Sequence, residues 1–314
     1  MIALLSQSGF LVVVRTAGER TFEACHALLL RQALREQIQV VDQRPFEAAL
    51  RSCYELGINS GAEWMMTVDA DVLLRPGAVK DLLGVAKDLP EQYLAVEGLV
   101  HDKLRGRHRE AGHHLYRVRH LKKALSALPG DGEEIRPEFA TLRRVSRLGH
   151  PFLKCETVFG IHDYEQFYRD LYRKGFVHGQ KHPDWLAGVL PRWKSEAEAD
   201  PDFAVALRGY CDGFQSPTKA RIDARAYVDR AEEALHELGL REKKPLGSDP
   251  ATLSLVEAIQ AKVDSAAGSD AEWSLDRRAA EGSRTQGMVR RGLYWFGSLL
   301  NRLGDRVQRR AEHG

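Results

Sequence analysis

The stretch that most constrains the fold is Trp64-Met65-Met66-Thr67-Val68-Asp69-Ala70-Asp71-Val72-Leu73-Leu74-Arg75-Pro76-Gly77. An apolar run, two carboxylates one residue apart, a second apolar run and then Pro-Gly read as a strand that ends in an acidic edge. Side chains alternate across a strand, so in extended backbone Asp69 and Asp71 project together while Ala70 faces inward. Two carboxylates held that close oppose each other's ionisation. A hard divalent cation relieves the repulsion, and oxygen ligands suit Mg²⁺ or Mn²⁺. The same Asp-x-Asp also fits a loop leading to a helix opened by Pro76, whose dipole favours acids near its start. The flanking sequence decides between the two.

Phe10-Leu11-Val12-Val13-Val14 is a β-branched run that reads as a fully buried strand. It ends in the polar loop Arg15-Thr16-Ala17-Gly18-Glu19-Arg20, and Thr21 to about Gln37 reads as a helix. Ile38-Gln39-Val40-Val41 is the second strand, stopping at Asp42. Phe46, Ala49, Leu50 and Cys53 fall at helical spacing, so 45–58 is an amphipathic helix opened by Pro45. The strand at 64–68 follows, and then a helix marked by Val79, Leu82, Leu83 and Ala86. Strand and helix alternating over about ninety residues is the pattern of a wound, mostly parallel α/β sheet. Ligands of such sheets collect beyond the carboxyl ends of the strands. Arg15-Thr16, Asp42 and Asp69-Ala70-Asp71 all fall at predicted strand ends. No Gly-x-Gly-x-x-Gly follows the first strand and there is no Walker lysine loop, which speaks against dinucleotide binding and ordinary NTPase chemistry.

The order strand, Arg-Thr-x-Gly-Glu, helix; strand, Asp; helix; strand, Asp-x-Asp; Pro-Gly, helix over residues 10–88 resembles the nucleotide-sugar-binding half of GT-A glycosyltransferases, in particular the family 2 type. One departure is the short step from Asp42 to the helix at Pro45, where family members usually insert a strand. The resemblance implies a Rossmann-type GT-A-like sheet, a nucleotide-sugar donor with UDP-sugars favoured, Mn²⁺ or Mg²⁺, and a saccharide or lipid-linked acceptor. It implies that Arg15, Thr16 and Glu19 lie beside the nucleoside and that Asp42 accepts a hydrogen bond from the base. Asp69 would stand near ribose and metal, and Asp71 would ligate the metal bridging the diphosphate. The physical logic holds without the name: a departing nucleoside diphosphate carries several negative charges, and a cation orients it and stabilises developing charge.

Tyr93 to Val100 reads as the next strand. The glycine- and histidine-rich segment 106–116 reads either as a sugar-facing loop at Ala111-Gly112-His113 or as a basic surface loop. Val158-Phe159-Gly160-Ile161 leads into His162-Asp163, and an aromatic stripe then repeats at helical spacing to Gly175, which reads as a helix stop. Several GT-A families complete the metal shell with a histidine far downstream of the Asp-x-Asp; by that resemblance His162 is the candidate, with His178 and His182 as rivals. An inverting enzyme needs a base within reach of the acceptor hydroxyl; Glu97, Asp102 and Asp163 are the candidates, Asp163 preferred.

The expected organisation is a catalytic domain over 1–190, a helical extension over 191–245, and a linker, helix and basic amphipathic helix over 246–314. In the last, Leu293, Phe296, Leu300, Leu303 and Val307 form a stripe among arginines over 288–310, suited to a membrane surface, a second subunit or the protein's own core. Lys+Arg 46 against Asp+Glu 44 gives no global field for nucleic acid. Four scattered cysteines without Cys-x-x-Cys spacing read as reduced thiols. No apolar run reaches spanning length, and the start is too short for a signal peptide. The expected location is therefore cytoplasmic, peripheral at the inner membrane surface if the tail binds there. Against the transferase stand three readings. Nucleotidyl transfer usually needs a glycine- and lysine-rich opening loop, absent here. An HD-type phosphohydrolase, suggested by His101-Asp102 and His162-Asp163, belongs to an all-helical class. An inactive scaffold would work through its terminal helix.

Overall fold

The computed structural model describes residues 9–267 apart from 135, 183–184 and 222. It divides into two compact units, the first comprising Met1–Phe167, Arg221–Asp223 and Lys244–Gln260, the second Tyr168–Ala220, Ala224–Lys243 and Ala261–Gly314.

The first unit is built on strands β1 (Phe10–Arg15), β2 (Ile38–Val41), β3 (Trp64–Asp69), β4 (Val72–Leu74), β5 (Ala95–Asp102), β6 (Arg107–Arg109), β7 (His113–Arg117) and β8 (Phe152–His162). They form one sheet in the order β2-β1-β3-β7-β5-β8-β4, with β6 paired to β5. β1 runs parallel to both β2 and β3. Every residue of β1 is buried, which is why it reads as an unbroken apolar run instead of an alternation. β7 is antiparallel to both β3 and β5, and β5 is parallel to β8. So β1, β2, β3, β5 and β8 point one way, while β4, β6 and β7 run against them. This is the mostly parallel, Rossmann-like wound sheet of GT-A type that the sequence predicts.

Helices α1 (Phe22–Leu30), α2 (Phe46–Asn59), α3 (Ala78–Lys87), α4 (Leu121–Ser126) and α5 (Pro137–Arg147) clothe the sheet. Leu11, Val13 and Met65 from the strands meet Leu50, Tyr54, Leu121, Leu142 and Val145 from α2, α4 and α5 in one buried cluster. Burying side chains of this size contributes roughly 1.5–3 kcal/mol each. α1 ends at Leu30, earlier than predicted, and a single 3₁₀ turn at Arg35–Gln37 leads into β2.

Residues 106–116, one reading of which was a basic surface loop, instead make β6 and β7. The sequence His113-His114-Leu115-Tyr116-Arg117 is wholly buried at the centre of the sheet. Its polar side chains survive there because each has partners. His113 Nδ1 donates to the carbonyl of Ala111 (2.9 Å) and its Nε2 accepts from the N–H of Gly98 (3.1 Å), which fixes one neutral tautomer. Arg117 lies over the Trp64 ring at 4.3 Å and donates to the carbonyl of Leu89. The segment after Lys243 also belongs to this unit: Leu246 N–H donates to the Arg20 carbonyl, and Gln260 from α10 (Pro250–Ala267) donates to the Leu73 carbonyl.

The second unit is helical, with α6 (Tyr168–Lys181), α7 (Trp185–Glu196), α8 (Pro201–Gln215) and α9 (Val228–Glu237). Gly175 does not stop α6, as its sequence position suggests; it lies mid-helix where α8 crosses. Gly175 and Gly179 on α6 face Gly209 and Gly213 on α8, and a Cβ at Gly175 would overlap the carbonyl of Ala206. Small residues four apart on both partners let two helix backbones touch. Gly175→Ala is therefore expected to cost about 2–3 kcal/mol through overpacking against rigid backbone, read as a lowered midpoint of the second unit's transition in urea.

Among the described residues no helix is long and apolar enough to cross a membrane. The amphipathic helix predicted at 288–310 lies outside the described residues.

Candidate cation and donor site

Arg15, Asp69, Asp102 and His162 are the final residues of β1, β3, β5 and β8, strands that all point the same way. The wound topology thus brings charges from four distant parts of the chain to one edge of the sheet, where such folds bind ligands.

The two aspartates do not share a direction. Extended backbone stops at Asp69, and Ala70-Asp71 form a turn into β4. Ala70 pins that turn: its N–H donates to the Arg15 carbonyl (2.9 Å), and its carbonyl accepts from Thr21 Oγ1 (2.7 Å). Asp69 Oδ1 then accepts from Arg15 Nε at 2.7 Å, while Asp71 Oδ2 lies 3.5 Å from His162 Nε2. Burial pushes the Asp69 carboxyl up to about 6 against the pull of Arg15, with Asp71, Glu138 and Glu19 adding to the push.

His162 is buried, with Nδ1 3.2 Å from Asp102 Oδ2 and 3.3 Å from Asp163 Oδ2. Asp163 is buried too and adopts φ +65°, and Glu165 follows at φ +56°. Left-handed backbone in two non-glycine residues so close together costs energy, and the surroundings hold it in place. Arg20 donates to the Glu165 carboxylate (2.6 Å) and carbonyl (2.9 Å), and Gln166 donates to Thr21 Oγ1. This bend turns Asp163 back toward His162. One ligand atom each from Asp71, His162 and Asp163 fall within 4.8 Å of one another. Two carboxylates with one imidazole are a donor set that would suit Mn²⁺ or Mg²⁺.

Asp102 braces this cluster. Its Oδ1 accepts from the Arg105 N–H at 2.7 Å, and its Oδ2 takes the Arg109 guanidinium. Burial alone would raise its carboxyl; Arg109 and the His162 hydrogen bond outweigh that and hold it well below the usual carboxylate range. An anionic oxygen fixed on Nδ1 orients the imidazole and leaves Nε2 toward Asp71, the arrangement that outer carboxylates give metal-binding histidines. As the expected acceptor of a proton, Asp102 is poorly suited for the same reason.

Behind this edge runs a buried chain of charges. Arg15 Nη1 lies 2.9 Å from Glu138 Oε2, His114 Nδ1 3.2 Å from Glu138 Oε1, and His114 Nε2 3.5 Å from Glu97 Oε1. Tyr116 Oη donates to Glu138 at 2.7 Å. Asp69, Arg15, Glu138, His114 and Glu97 therefore alternate in sign across β1, β3, β5, β7 and α5. Burial disfavours the His114 imidazolium, yet Glu138 and Glu97 more than offset it, so its pKa is raised. Burial also acts against the Glu138 carboxylate, and Arg15 and His114 overcome it, so its pKa is lowered. His114 thus stabilises the fold fully below about pH 6.5, its ordinary value, and that contribution is lost as pH rises through its raised folded pKa. Glu138 contributes above about pH 4.5 and is lost as pH falls. In urea unfolding, the gap between wild type and His114→Gln should be widest near pH 5.5 and narrow at pH 9.

The rim carries the other predicted residues. Thr16 Oγ1 and the Ala17 N–H both donate to Glu19 Oε2, at 2.8 and 2.7 Å. Burial and then Asp71 raise the Glu19 carboxyl, so it holds its proton more readily than a free glutamate. Asp42, exposed beyond β2, pairs with Arg44 at 3.3 Å and lines a cleft of about 440 Å³ with Gln43, Ser52, Glu55 and Asn59 and with the apolar Val40, Val41 and Leu56. Gly112 takes φ +71°, and its carbonyl accepts from the Asp69 N–H at 2.7 Å. A Cβ there would overlap Val72 and crowd His162, so only glycine lets the β7 approach lie against the acidic turn. The rivals His178 and His182 belong to the second unit, their rings 5.5 Å apart. Glu138, His114 and Arg109 escape sequence reasoning. Pro137-Glu138 opening a helix is the one local signal for the first of them.

No family model matches the sequence, and no curated protein matches it. Among solved structures, the chain is similar to a glycosyltransferase involved in the glycosylation of the major capsid of PBCV-1, at 12% identity and a TM-score of 0.35 over 47% of this chain and 82% of that one. It is similar to the mannosyltransferase PcManGT from Pyrobaculum calidifontis in complex with GDP-Man and Mn²⁺, at 13% identity and a TM-score of 0.36 over 80% and 79%. It is also similar to a CMP:2-keto-3-deoxy-manno-octonic acid synthetase complexed with CTP, at 14% identity and a TM-score of 0.33 over 48% and 91%.

Proposed function

We propose that this protein is a metal-dependent glycosyltransferase that moves a sugar from a nucleoside diphosphate donor, UDP-sugars favoured, to a hydroxyl of a saccharide or lipid-linked acceptor. The observation that carries the reading is the convergence of Asp71, His162 and Asp163 at the carboxyl edge of the wound sheet. In this reading those three residues hold Mn²⁺ or Mg²⁺, which when bound supplies positive charge for the departing diphosphate. Asp102 keeps the His162 ring in register, and Arg109 keeps Asp102 ionised. Arg15 holds Asp69 at the end of β3, beside the ribose side of the donor. Thr16, Glu19 and Asp42 line the nucleoside side. Of the three carboxylates expected to take the acceptor's proton, Asp163 is assigned here to the cation and Asp102 to positioning. Glu97 remains, and its proton affinity is raised, by burial against the pull of His114 and Lys154.

The sheet also favours this reading over an HD-type phosphohydrolase. His101-Asp102 ends one strand, and His162 ends its parallel neighbour with Asp163 just beyond it, whereas that class is helical. A thermal-shift screen with UDP, GDP, CDP, ADP and dTDP, each with and without Mn²⁺, tests the donor site. At a hundredfold excess over Kd, specific binding adds about 2.7 kcal/mol, a melting rise on the order of several degrees. A rise for one nucleotide that requires Mn²⁺ is expected; no rise for any pair would favour the scaffold reading.

A further inference from the structure

Helices α4 and α5 carry cations on their exposed sides and no acid there. α4 has Lys122 and Lys123, both exposed, and no acidic residue. α5 has Arg143, Arg144 and Arg147, and its one acid, Glu138, is buried against Arg15 and His114. Phe139, Arg143 and Arg147 recur every four residues and are all exposed, so they share one side of α5. Among the described residues Lys122, Lys123, Arg143 and Arg147 pair with no carboxylate, whereas Arg144 takes Glu133 at 2.6 Å and Glu134 at 3.8 Å.

Direct contacts gather these groups. Arg144 Nη1 donates to the Ala127 carbonyl at 3.2 Å, and Lys122, Lys123, Ser126, Ala127, Arg144 and Leu148 line one cleft of about 580 Å³ between the two helices. Lys123 Nζ donates to His150 Nε2 at 2.6 Å, and His150 Nδ1 donates to the Gln92 carbonyl at 3.1 Å. The Lys123 ammonium thus spends one of its three protons inside the protein. Leu148, the C-cap of α5, is 65% exposed, and Phe139 is 39% exposed with the Arg143 guanidinium 5.7 Å from its ring centre. Gln92 and His150 lead into the starts of β5 and β8, whereas Asp102 and His162 end the same two parallel strands. The cleft therefore lies at the opposite edge of the sheet from the acidic turn.

We propose that the exposed side of α4 and α5 docks the protein on an anionic lipid surface. Cations without internal carboxylate partners complement acidic headgroups, each contributing about fivefold to binding near a charged bilayer. Cations alone would serve any polyanion. Leu148 and Phe139 beside them select the bilayer, whose interface takes up apolar side chains flanked by lysine and arginine. The long stems of Lys122 and Lys123 can lie along that apolar surface while their ammonium groups stay among the headgroups. The inference uses no residue of the metal edge and none of residues 288–310, and it does not depend on the transferase reading.

The test sediments the full chain with phosphatidylcholine vesicles, with and without phosphatidylglycerol. Binding that needs the anionic lipid is expected, released at high salt and weakened about tenfold or more in Lys122→Gln/Arg147→Gln. Leu148→Gln keeps every charge and should weaken it in the same direction, whereas Lys122→Arg/Arg147→Lys should bind as wild type does. All three variants change exposed side chains and should melt with wild type, which separates lost binding from lost folding. No binding to the anionic vesicles overturns the proposal. So does equal binding in wild type and Lys122→Gln/Arg147→Gln, because the attraction then resides elsewhere in the chain. A DNA duplex that binds through the same two cations, with vesicle binding untouched by Leu148→Gln, would assign the face to nucleic acid and overturn the lipid. Absence of the nucleotide and Mn²⁺ melting shift from wild type strikes the donor reading and leaves the vesicle result standing.

Discussion

Asp71→Asn is expected to abolish the Mn²⁺-dependent melting shift with nucleotide and to lower sugar transfer by about 10³-fold or more. The substitution keeps size and shape, so the effect reads charge. Asp71 is where a carboxylate, His162 and Asp163 present ligand atoms to a common point, and losing one anionic ligand weakens both the ion and the charge stabilisation it supplies. Removing a single group that stabilises developing charge commonly costs 10²–10³ in rate, and in the proposed reading the lost group also anchors the cation. Asp69→Asn should behave differently. Asp69 is engaged by Arg15 at 2.7 Å, so its replacement leaves a buried guanidinium with Glu138 as its remaining carboxylate partner. Its signature is therefore a lower melting temperature together with weaker donor binding, whereas Asp71→Asn should melt close to wild type in the absence of metal. Comparing the two variants by metal-free melting and by Mn²⁺ titration separates the roles of two aspartates that sit two residues apart.

The second large effect is on stability. Glu138→Ala is expected to destabilise the first unit by about 3–5 kcal/mol, because Arg15 and His114 then remain buried with less than their compensating charge. For a unit of this size that corresponds to a melting drop on the order of 10 °C. Glu138→Gln keeps an acceptor for Tyr116 Oη and should lose less. Glu138→Leu with Arg15→Met and His114→Leu, which removes the charges together, should recover much of the loss, since a buried ionic network is costly mainly when it is left half made. Metal-free melting of the three variants checks the order. If Glu138→Ala melted like wild type, the chain of charges from Asp69 to Glu97 would carry no stability.

The parts of this fold that sequence discloses are those in which local pattern and environment agree. β1 and β3 are apolar because neighbouring strands and helices cover them, so composition alone reveals them. Asp71 and His162 are legible from position, each next to the end of an apolar run. β7 is hidden for the opposite reason. His113, His114 and Arg117 look like a surface segment, and their partners are Gly98, Glu138 and Trp64, all far away in sequence. Glu138 is hidden likewise, because what makes a buried acid tolerable is an arginine more than a hundred residues earlier. Gly175 misleads because a glycine ending a helix and a glycine admitting another helix leave the same mark. The turn at Ala70 separates Asp69 from Asp71 through hydrogen bonds to Arg15 and Thr21, which no spacing argument between the two aspartates contains.

The central claim is that one divalent ion sits between Asp71, His162 and Asp163. Anomalous scattering from crystals grown with Mn²⁺ and the nucleotide selected by the melting screen tests it directly. The account predicts a manganese peak in bonding contact with the His162 ring and with a carboxylate oxygen of each aspartate. A peak elsewhere, or nucleotide bound at this edge with no manganese beside it, would contradict it.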